Sequence, residues 1–295
     1  MRTKKRFGQH FLTDNTIAAK IVTAAQIEEG DNVWEIGPGK GVLTDLLIGF
    51  KCRLTCFEID RDLIPYLNNR YDDRIILVNQ DILQVDWKEM LDINNNVSPL
   101  FIDTKATDNP HLNSHKNQQT TLVANIPYNI TSPILEKLCQ HSGQFQVAVL
   151  MLQKEVAERI SSKHGNKSYG VLSLKIQHYF DVKRLFNVPA NRFRPQPQVD
   201  SQVVKLTPRT DKPTFFQRED LEYFWNIVET SFKARRKMLR NNLKTILTNE
   251  ELQKLDAFLT QKEYPFSLKS RAEDLSEEDY IHLCDAILSV GKHNS

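Results

Sequence analysis

Thr121-Leu122-Val123-Ala124-Asn125-Ile126-Pro127-Tyr128 is the stretch on which the reading of this chain turns. The first four residues are a short, β-prone apolar run, and Pro127 can neither continue a ladder nor sit inside a helix, so a strand is predicted to stop close to Asn125. In open α/β sheets the ligand crevice lies outside the carboxyl ends of the strands. An amide, free backbone carbonyls and an aromatic ring gathered there suit a flat heterocycle carrying an exocyclic amine. The Asn125 oxygen and the Ile126 carbonyl can accept the amine hydrogens while Tyr128 covers the ring. Taken alone, the tetrapeptide is also readable as a strand-to-helix turn in which Asn125 caps the backbone and Tyr128 is core.

Working upstream, two more strand ends carry polar residues. Asn32 to Ile36 reads as a strand, followed by Gly37-Pro38-Gly39-Lys40-Gly41 opening a helix through Val42, Leu43, Leu46 and Leu47. Glycines let a backbone approach a ligand closely, and a helix N-terminus offers free N–H groups. A second strand, Arg53 to Phe57, ends at Glu58-Ile59-Asp60; an acid roughly 20 residues past a glycine turn binds ribose hydroxyls in doubly wound folds. Neither GxGxxG nor GxxxxGK[ST] is present, which weighs against dinucleotide and NTPase readings. A helix from Arg61 to Arg70 and a strand from Arg74 to Val78 then lead to Asn79-Gln80-Asp81-Ile82, where the Asp81 carboxylate can accept from an adenine amine or simply cap a loop. Three polar residues on successive strand ends outline an adenosine-type pocket.

The flanking segments fill in the plan. Met1 to Thr13 is basic and aromatic, an expected ordered arm, and Asp14 is an N-cap for a helix carrying Ile17, Ile21, Val22 and Ala25. Ile93 to Gln119 is polar and aperiodic, an expected mobile loop; His111 and His115 within it have helical spacing but no carboxylate or thiol companion for a metal. Downstream come a helix opened by Thr131-Ser132-Pro133, a strand from Phe145 to Leu152, a helix to Ser161, and a Gly- and Lys-containing loop, Lys163 to Tyr169, that suits phosphate or a plain surface turn. In Phe193-Arg194-Pro195-Gln196-Pro197-Gln198-Val199-Asp200-Ser201 the prolines impose an extended, stiff loop. Phe193, if it faces Tyr128, completes a slot for a flipped base; the alternative is a connector with Phe193 buried. From Thr210 only helical patterns remain, over Leu221–Phe232, Arg235–Leu247, Glu250–Leu259 and Ser276–Val290. Lys233, Arg235, Arg236, Lys237, Arg240 and Lys244 run without an intervening acid, as a solvated helix face or a phosphate-tracking surface.

With 295 residues, one large and one small domain are expected. The net charge of +2 means that any nucleic-acid affinity comes from local clusters. The four cysteines lack CxxC spacing, which points to a reduced, cytoplasmic compartment, and no apolar stretch is long enough to span a membrane, so a soluble protein is expected.

Taken together, Arg6-Phe7-Gly8-Gln9-His10-Phe11-Leu12, Glu35-Ile36-Gly37-Pro38-Gly39, Glu58-Ile59-Asp60, Gln80-Asp81, Asn125-Ile126-Pro127-Tyr128-Asn129, Leu152-Gln153-Lys154-Glu155 and Phe193 through Ser201 resemble the ribosomal RNA adenine dimethyltransferases over nearly the whole chain. That resemblance implies an α/β fold, a seven-stranded Rossmann-like class I methyltransferase sheet with a small C-terminal all-helical domain. It implies a methyltransferase domain over 1–208 and a helical RNA-binding domain over 209–295. The methyl donor would be S-adenosylmethionine, and the target two adjacent adenosines near the 3′ end of 16S ribosomal RNA, in the small subunit or its precursor; a monomer is expected. By the same resemblance His10 and Leu12 close over the donor, Gly37 lies under its methionine end, Glu58 holds its ribose and Asp81 binds its adenine amine, with Gly39, Ile59, Ile82 and Asn125 also in the donor site. Asn125, Ile126, Pro127, Tyr128 and Phe193 form the catalytic set, and Arg235, Arg236, Lys237 and Arg240 meet RNA. Two departures stand out: His10, where many relatives have Asn, and the length of the polar insert around Asn94 to Gln119. The alternatives are a methyltransferase of large-subunit RNA, a non-catalytic assembly factor on the same fold, and a nicotinamide dehydrogenase; the misplaced third glycine argues against the last.

Overall fold

The computed structural model describes residues 9–95, 119–211 and 218–291. The insert expected as a loop lies mostly outside them, with His111 and His115, as do the first eight residues of the arm. The chain opens with β1 (Phe11–Leu12) and α1 (Asn15–Ala25). Asp14 caps α1 as expected, its Oδ1 accepting from the Ile17 N–H at 3.1 Å, and Ala18, Ile21, Val22 and Ala25 form the buried stripe. Then follow β2 (Asn32–Ile36), α2 (Thr44–Leu47), β3 (Arg53–Phe57), α3 (Ile64–Tyr71), β4 (Ile76–Val78) and α4 (Trp87–Asn95). Next come β5 (Thr120–Asn125), α5 (Thr131–Gln140), β6 (Phe145–Gln153), α6 (Lys154–Ile160), α7 (Val171–Tyr179), β7 (Phe180–Val188), β8 (Phe193–Arg194) and β9 (Ser201–Pro208).

Seven of these strands form one sheet in the order β4-β3-β2-β5-β6-β9-β7, parallel from β4 to β6 and antiparallel through β9 and β7. β2 and β3 are buried at every position and β5 at all but its last, because parallel strands covered on both faces meet no solvent. On one face Trp34 meets Phe57, Trp87 and Phe145 edge-on, with ring centres 4.8 to 5.9 Å apart. A second apolar layer joins Ile21 and Val22 of α1 to Leu47, Leu54, Val123 and Val149. The chain steps outward from β2 to β4 and then returns to the other side of β2 as β5. That reversal opens a crevice at the carboxyl ends of β2 and β5. The helix expected to start on the glycines begins only at Thr44 and is four residues long, so this turn acts through its backbone shape more than through a helix end.

The chain divides into two compact units, Met1–Ala157 with Tyr179–Arg209, and Glu158–His178 with Thr210–Ser295. The boundary read from sequence near 208 therefore needs a correction, since residues 158–178 belong with the helical unit. The physical reason is that Leu174 of α7 and Tyr169 before it are buried in one apolar cluster with Phe224, Ile227, Leu243 and Leu283. That unit is built from α8 (Arg218–Phe232), α9 (Leu239–Leu243), α10 (Asn249–Gln261) and α11 (Glu277–Gly291). A capping box at Thr248 and Glu251 starts α10. The helix expected from Arg235 to Leu247 is instead a turn over Lys233–Lys237 followed by the short α9. Asn242 dictates this: its buried Nδ2 donates to the Ser231 and Ala234 carbonyls at 2.5 and 3.3 Å, holding the end of α8 where a straight helix could not place it. No described helix is long and apolar enough to cross a membrane.

Candidate active site

The glycine turn can be built only from glycine. At Gly39 φ is +59° and a Cβ would lie 2.9 Å from the Phe11 ring; at Gly41 φ is +85° and a Cβ would lie 1.7 Å from the Tyr71 hydroxyl. The strand ends are stitched together by side chains and turn amides. Gly37 N–H donates to the Phe57 carbonyl at 2.9 Å, and Asn79 Nδ2 to the Glu58 carbonyl at 2.8 Å. The Glu58 carboxylate is held at both oxygens, Oε2 accepting from Gly39 N–H at 3.2 Å and Oε1 from Asp60 N–H at 2.8 Å. Burial raises its pKa above the usual carboxylate range, and those backbone donors partly oppose the shift. Beneath the turn, Glu35 accepts from the Thr44 hydroxyl at 2.7 Å and from the Cys56 thiol, and burial pushes its pKa up to about 7. Asp81 uses Oδ1 to accept from Leu83 N–H at 2.9 Å, and Ile59 is 41% exposed at the crevice mouth.

The ends of β2, β3, β4 and β5 enclose a cavity of about 320 Å³ together with the arm. His10, Gly37, Gly39, Glu58, Ile59, Asp81, Ile82, Asn125, Ile126, Pro127 and Tyr128 all line it. Asn125 sits at the end of β5, and its Nδ2 donates to the backbone carbonyl of His10 at 3.1 Å. That bond fixes the amide, leaving Oδ1 as an acceptor; no described residue donates to it or to the Ile126 carbonyl. The Pro127 carbonyl, by contrast, is occupied by Ile130 N–H at 3.1 Å. Tyr128 shares a 2.8 Å hydrogen bond with Ser201, and burial raises its pKa, so it stays a neutral phenol. The His10 ring lies 5.6 Å from the Tyr128 ring, and its Nδ1 donates to the Pro195 carbonyl at 2.8 Å, which fixes the tautomer.

Two expected site residues are elsewhere. Phe193 is 1% exposed and Leu12 is 4% exposed. They face each other in the antiparallel pair β1–β8 and belong to the apolar layer, not to the cavity wall. The slot expected between Tyr128 and Phe193 is therefore absent from this structure, and the ring near Tyr128 is His10. Thr13 donates from both N–H and Oγ1 to the Arg192 carbonyl at 2.9 Å, and Arg192 pairs with Asp14 at 3.0 Å, so the β1–β8 ribbon is a clamp. Sequence reading missed Asn79, Gln9, whose Nε2 donates to Asp60 at 3.0 Å, and the His10 carbonyl. Only Asn79, polar at a strand end, gave a local signal.

In the helical unit the four basic candidates separate. Arg236 and Lys237 are exposed and form no ion pair among the described residues. Arg240 lies 3.8 Å from Asp256. Arg235 is consumed internally: Nε donates to Glu273 at 2.7 Å, and Nη2 to the carbonyls of Lys167 and Asn166.

Sheet order, switch-point crevice and polar strand ends define an α/β protein of the class I methyltransferase fold. The chain belongs to the ribosomal RNA adenine dimethylase family, whose profile matches residues 1–283. It is 38% identical over 291 residues to ribosomal RNA small subunit methyltransferase A of Lactococcus lactis, covering 98% of this chain and 91% of the relative. The same-named protein of Picosynechococcus is 38% identical over 294 residues, covering 97% and 98%. Among solved structures, a dimethyladenosine transferase from Plasmodium falciparum superposes with a TM-score of 0.69 at 27% identity, over 96% of this chain and 98% of that one. The 23S rRNA methyltransferase ErmE shares the fold, with a TM-score of 0.64 at 22% identity over 94% and 99%.

Proposed function

We propose that this chain transfers methyl groups from S-adenosylmethionine to N6 of two adjacent adenosines near the 3′ end of 16S ribosomal RNA, giving N6,N6-dimethyladenosines during small-subunit biogenesis in the cytoplasm. The observation that carries the reading is the fixed Asn125 amide, which presents two unoccupied acceptors, its own Oδ1 and the Ile126 carbonyl, at the wall of an adenosine-sized cavity. Relatives named as small-subunit RNA methyltransferases support the substrate.

The residues present fit the donor. The glycine turn leaves room for its methionine end, the Glu58 carboxylate offers acceptors for ribose hydroxyls, Ile59 gives an apolar face for adenine, and Asp81 an acceptor for its amine. As a sulfonium, S-adenosylmethionine supplies an electrophilic methyl group. The target amine is a poor nucleophile because its lone pair is delocalised into the ring. Asn125 Oδ1 and the Ile126 carbonyl accept its two hydrogens and draw the nitrogen towards tetrahedral geometry, while Tyr128 lies against the base. Positioning and fixed dipoles then supply most of the rate. The proton released after transfer passes to water, so no histidine or glutamate shows a general-base signature in the pH profile. The helical unit serves as the RNA-binding domain of a monomer.

The test is transfer of labelled methyl to unmethylated small subunits with the modified nucleoside identified by mass. Dimethyladenosine at two neighbouring positions is expected; donor binding without transfer to ribosomal RNA would favour a pure assembly factor. Asn125→Ala is expected to lower kcat by about 10²–10³-fold, the scale of losing one preorganised polar group, with donor affinity almost unchanged. Equal losses in both would refute the role.

A further inference from the structure

Arg235 looks from the sequence like one more cation in a basic run, yet its guanidinium is spent inside the protein. It bridges Glu273 and the carbonyls of Asn166 and Lys167, three groups from two distant segments. The loop it grips is tied down twice more: Gly165 N–H donates to the Glu273 carbonyl at 2.6 Å, and His164 Nδ1 lies 3.3 Å from the Asp274 carbonyl. Lys163 and Lys167 in this loop are exposed, as are Arg236 and Lys237 on the turn that carries Arg235. Glu273, the carboxylate that Arg235 holds, is neutralised by that pairing.

We propose that Arg235 is a positioning residue that latches the loop Lys163–Ser168 onto the turn Lys233–Lys237, so that Lys163 and Lys167 join Arg236 and Lys237 in one composite phosphate-binding surface for the RNA backbone. This rests on the ribosomal RNA reading above. An exposed cluster of four cations from two segments fits a polyanion with regularly spaced charges, and a planar guanidinium is the group that can hold a carboxylate and two carbonyls at once. A lysine ammonium keeps the charge but lacks the fork.

The experiment uses the full chain and unmethylated small ribosomal subunits, with Kd measured at 50 to 200 mM KCl. Lys163→Gln/Lys167→Gln is expected to remove two phosphate contacts, which makes the loss of affinity across that salt range about tenfold smaller. Arg235→Lys is expected to match it in Kd and salt slope although its charge is conserved, and combining all three changes is expected to add nothing further. Amide exchange over residues 164–169 of the free Arg235→Lys protein is expected to quicken while α8 and α10 keep their protection. If Arg235→Lys binds as the wild type does, or if the losses multiply, Arg235 is a direct contact or a bystander and the latch is wrong. If the wild type itself fails to bind small subunits, the RNA reading falls and the surface with it; unchanged exchange in Arg235→Lys overturns the latch independently of RNA.

Discussion

Replacing Glu35 by Gln should stabilise this protein, and only above a particular pH. Glu35 lies in β2, an interior strand of the sheet, 1% exposed, with its carboxylate pushed from 4.5 to about 7, chiefly by burial, with repulsion from Glu58 and Asp45 adding to the shift and hydrogen bonds from Thr44 and Cys56 opposing it. The folded pKa is raised, so the contribution of the protonated acid is fully present below the unfolded pKa of 4.5 and is lost as pH rises through the folded value. Between these limits the native state holds a proton that the unfolded state has released, and stability declines by about 1.4 kcal/mol per pH unit. Across the interval the ionised form costs about 3 kcal/mol. Glutamine keeps the carbonyl acceptor for Thr44 and never ionises. The variant should match the wild type near pH 4.5 and exceed it by up to about 3 kcal/mol above pH 7, roughly 6–12 °C in Tm for a unit of this size. Thermal unfolding of both proteins from pH 4.5 to 8.5 reads the difference, in which other titrating groups cancel. A difference that stays flat with pH would mean that Glu35 is already ionised at pH 5 in the folded state, and the burial reasoning would be wrong.

Gly41→Ala forces a Cβ to within 1.7 Å of the Tyr71 hydroxyl at a φ of +85°, so a loss of about 2–4 kcal/mol is expected in denaturant unfolding. Phe193→Leu should cost about 1–2 kcal/mol through a smaller buried side chain while kcat stays near wild type; a large kcat loss at full stability would restore Phe193 to the base slot. Asn125→Asp keeps an acceptor oxygen but loses the N–H that meets the His10 carbonyl, so its kcat should fall like that of Asn125→Ala. Activity close to wild type in the aspartate variant would show that orientation by the arm is irrelevant.

What was legible in the sequence was whatever local chemistry encodes. The strand Arg53 to Phe57 ends where its apolar run ends, Asp14 caps where a short acid precedes an apolar stripe, and the polar strand ends converge because a parallel sheet lines up its carboxyl ends. The failures are all non-local. Nothing near Phe193 in the chain reveals Leu12 as its partner, so its local sequence fits a place opposite Tyr128 equally well. Arg235 reads like its basic neighbours because Glu273 and the Asn166 and Lys167 carbonyls are far away in the chain. Lys233 to Lys237 has ordinary helix propensity, and the buried amide of Asn242 overrides it. Nothing in the sequence separates residues 158–178 from the sheet, because only three-dimensional packing shows where the side chains of Tyr169 and Leu174 go.

The clamp of β1 on β8 also sets a timetable. His10 and Pro195 are 185 residues apart, and the Asn125 amide finds its acceptor only on the arm they hold. At a synthesis rate of about 5–20 residues per second, the arm waits roughly 10–40 s after leaving the ribosome before its partner strand is made. The arm, made well before its partners, is thus among the last segments to dock, and a nascent chain has no finished catalytic pocket until the sheet is nearly complete.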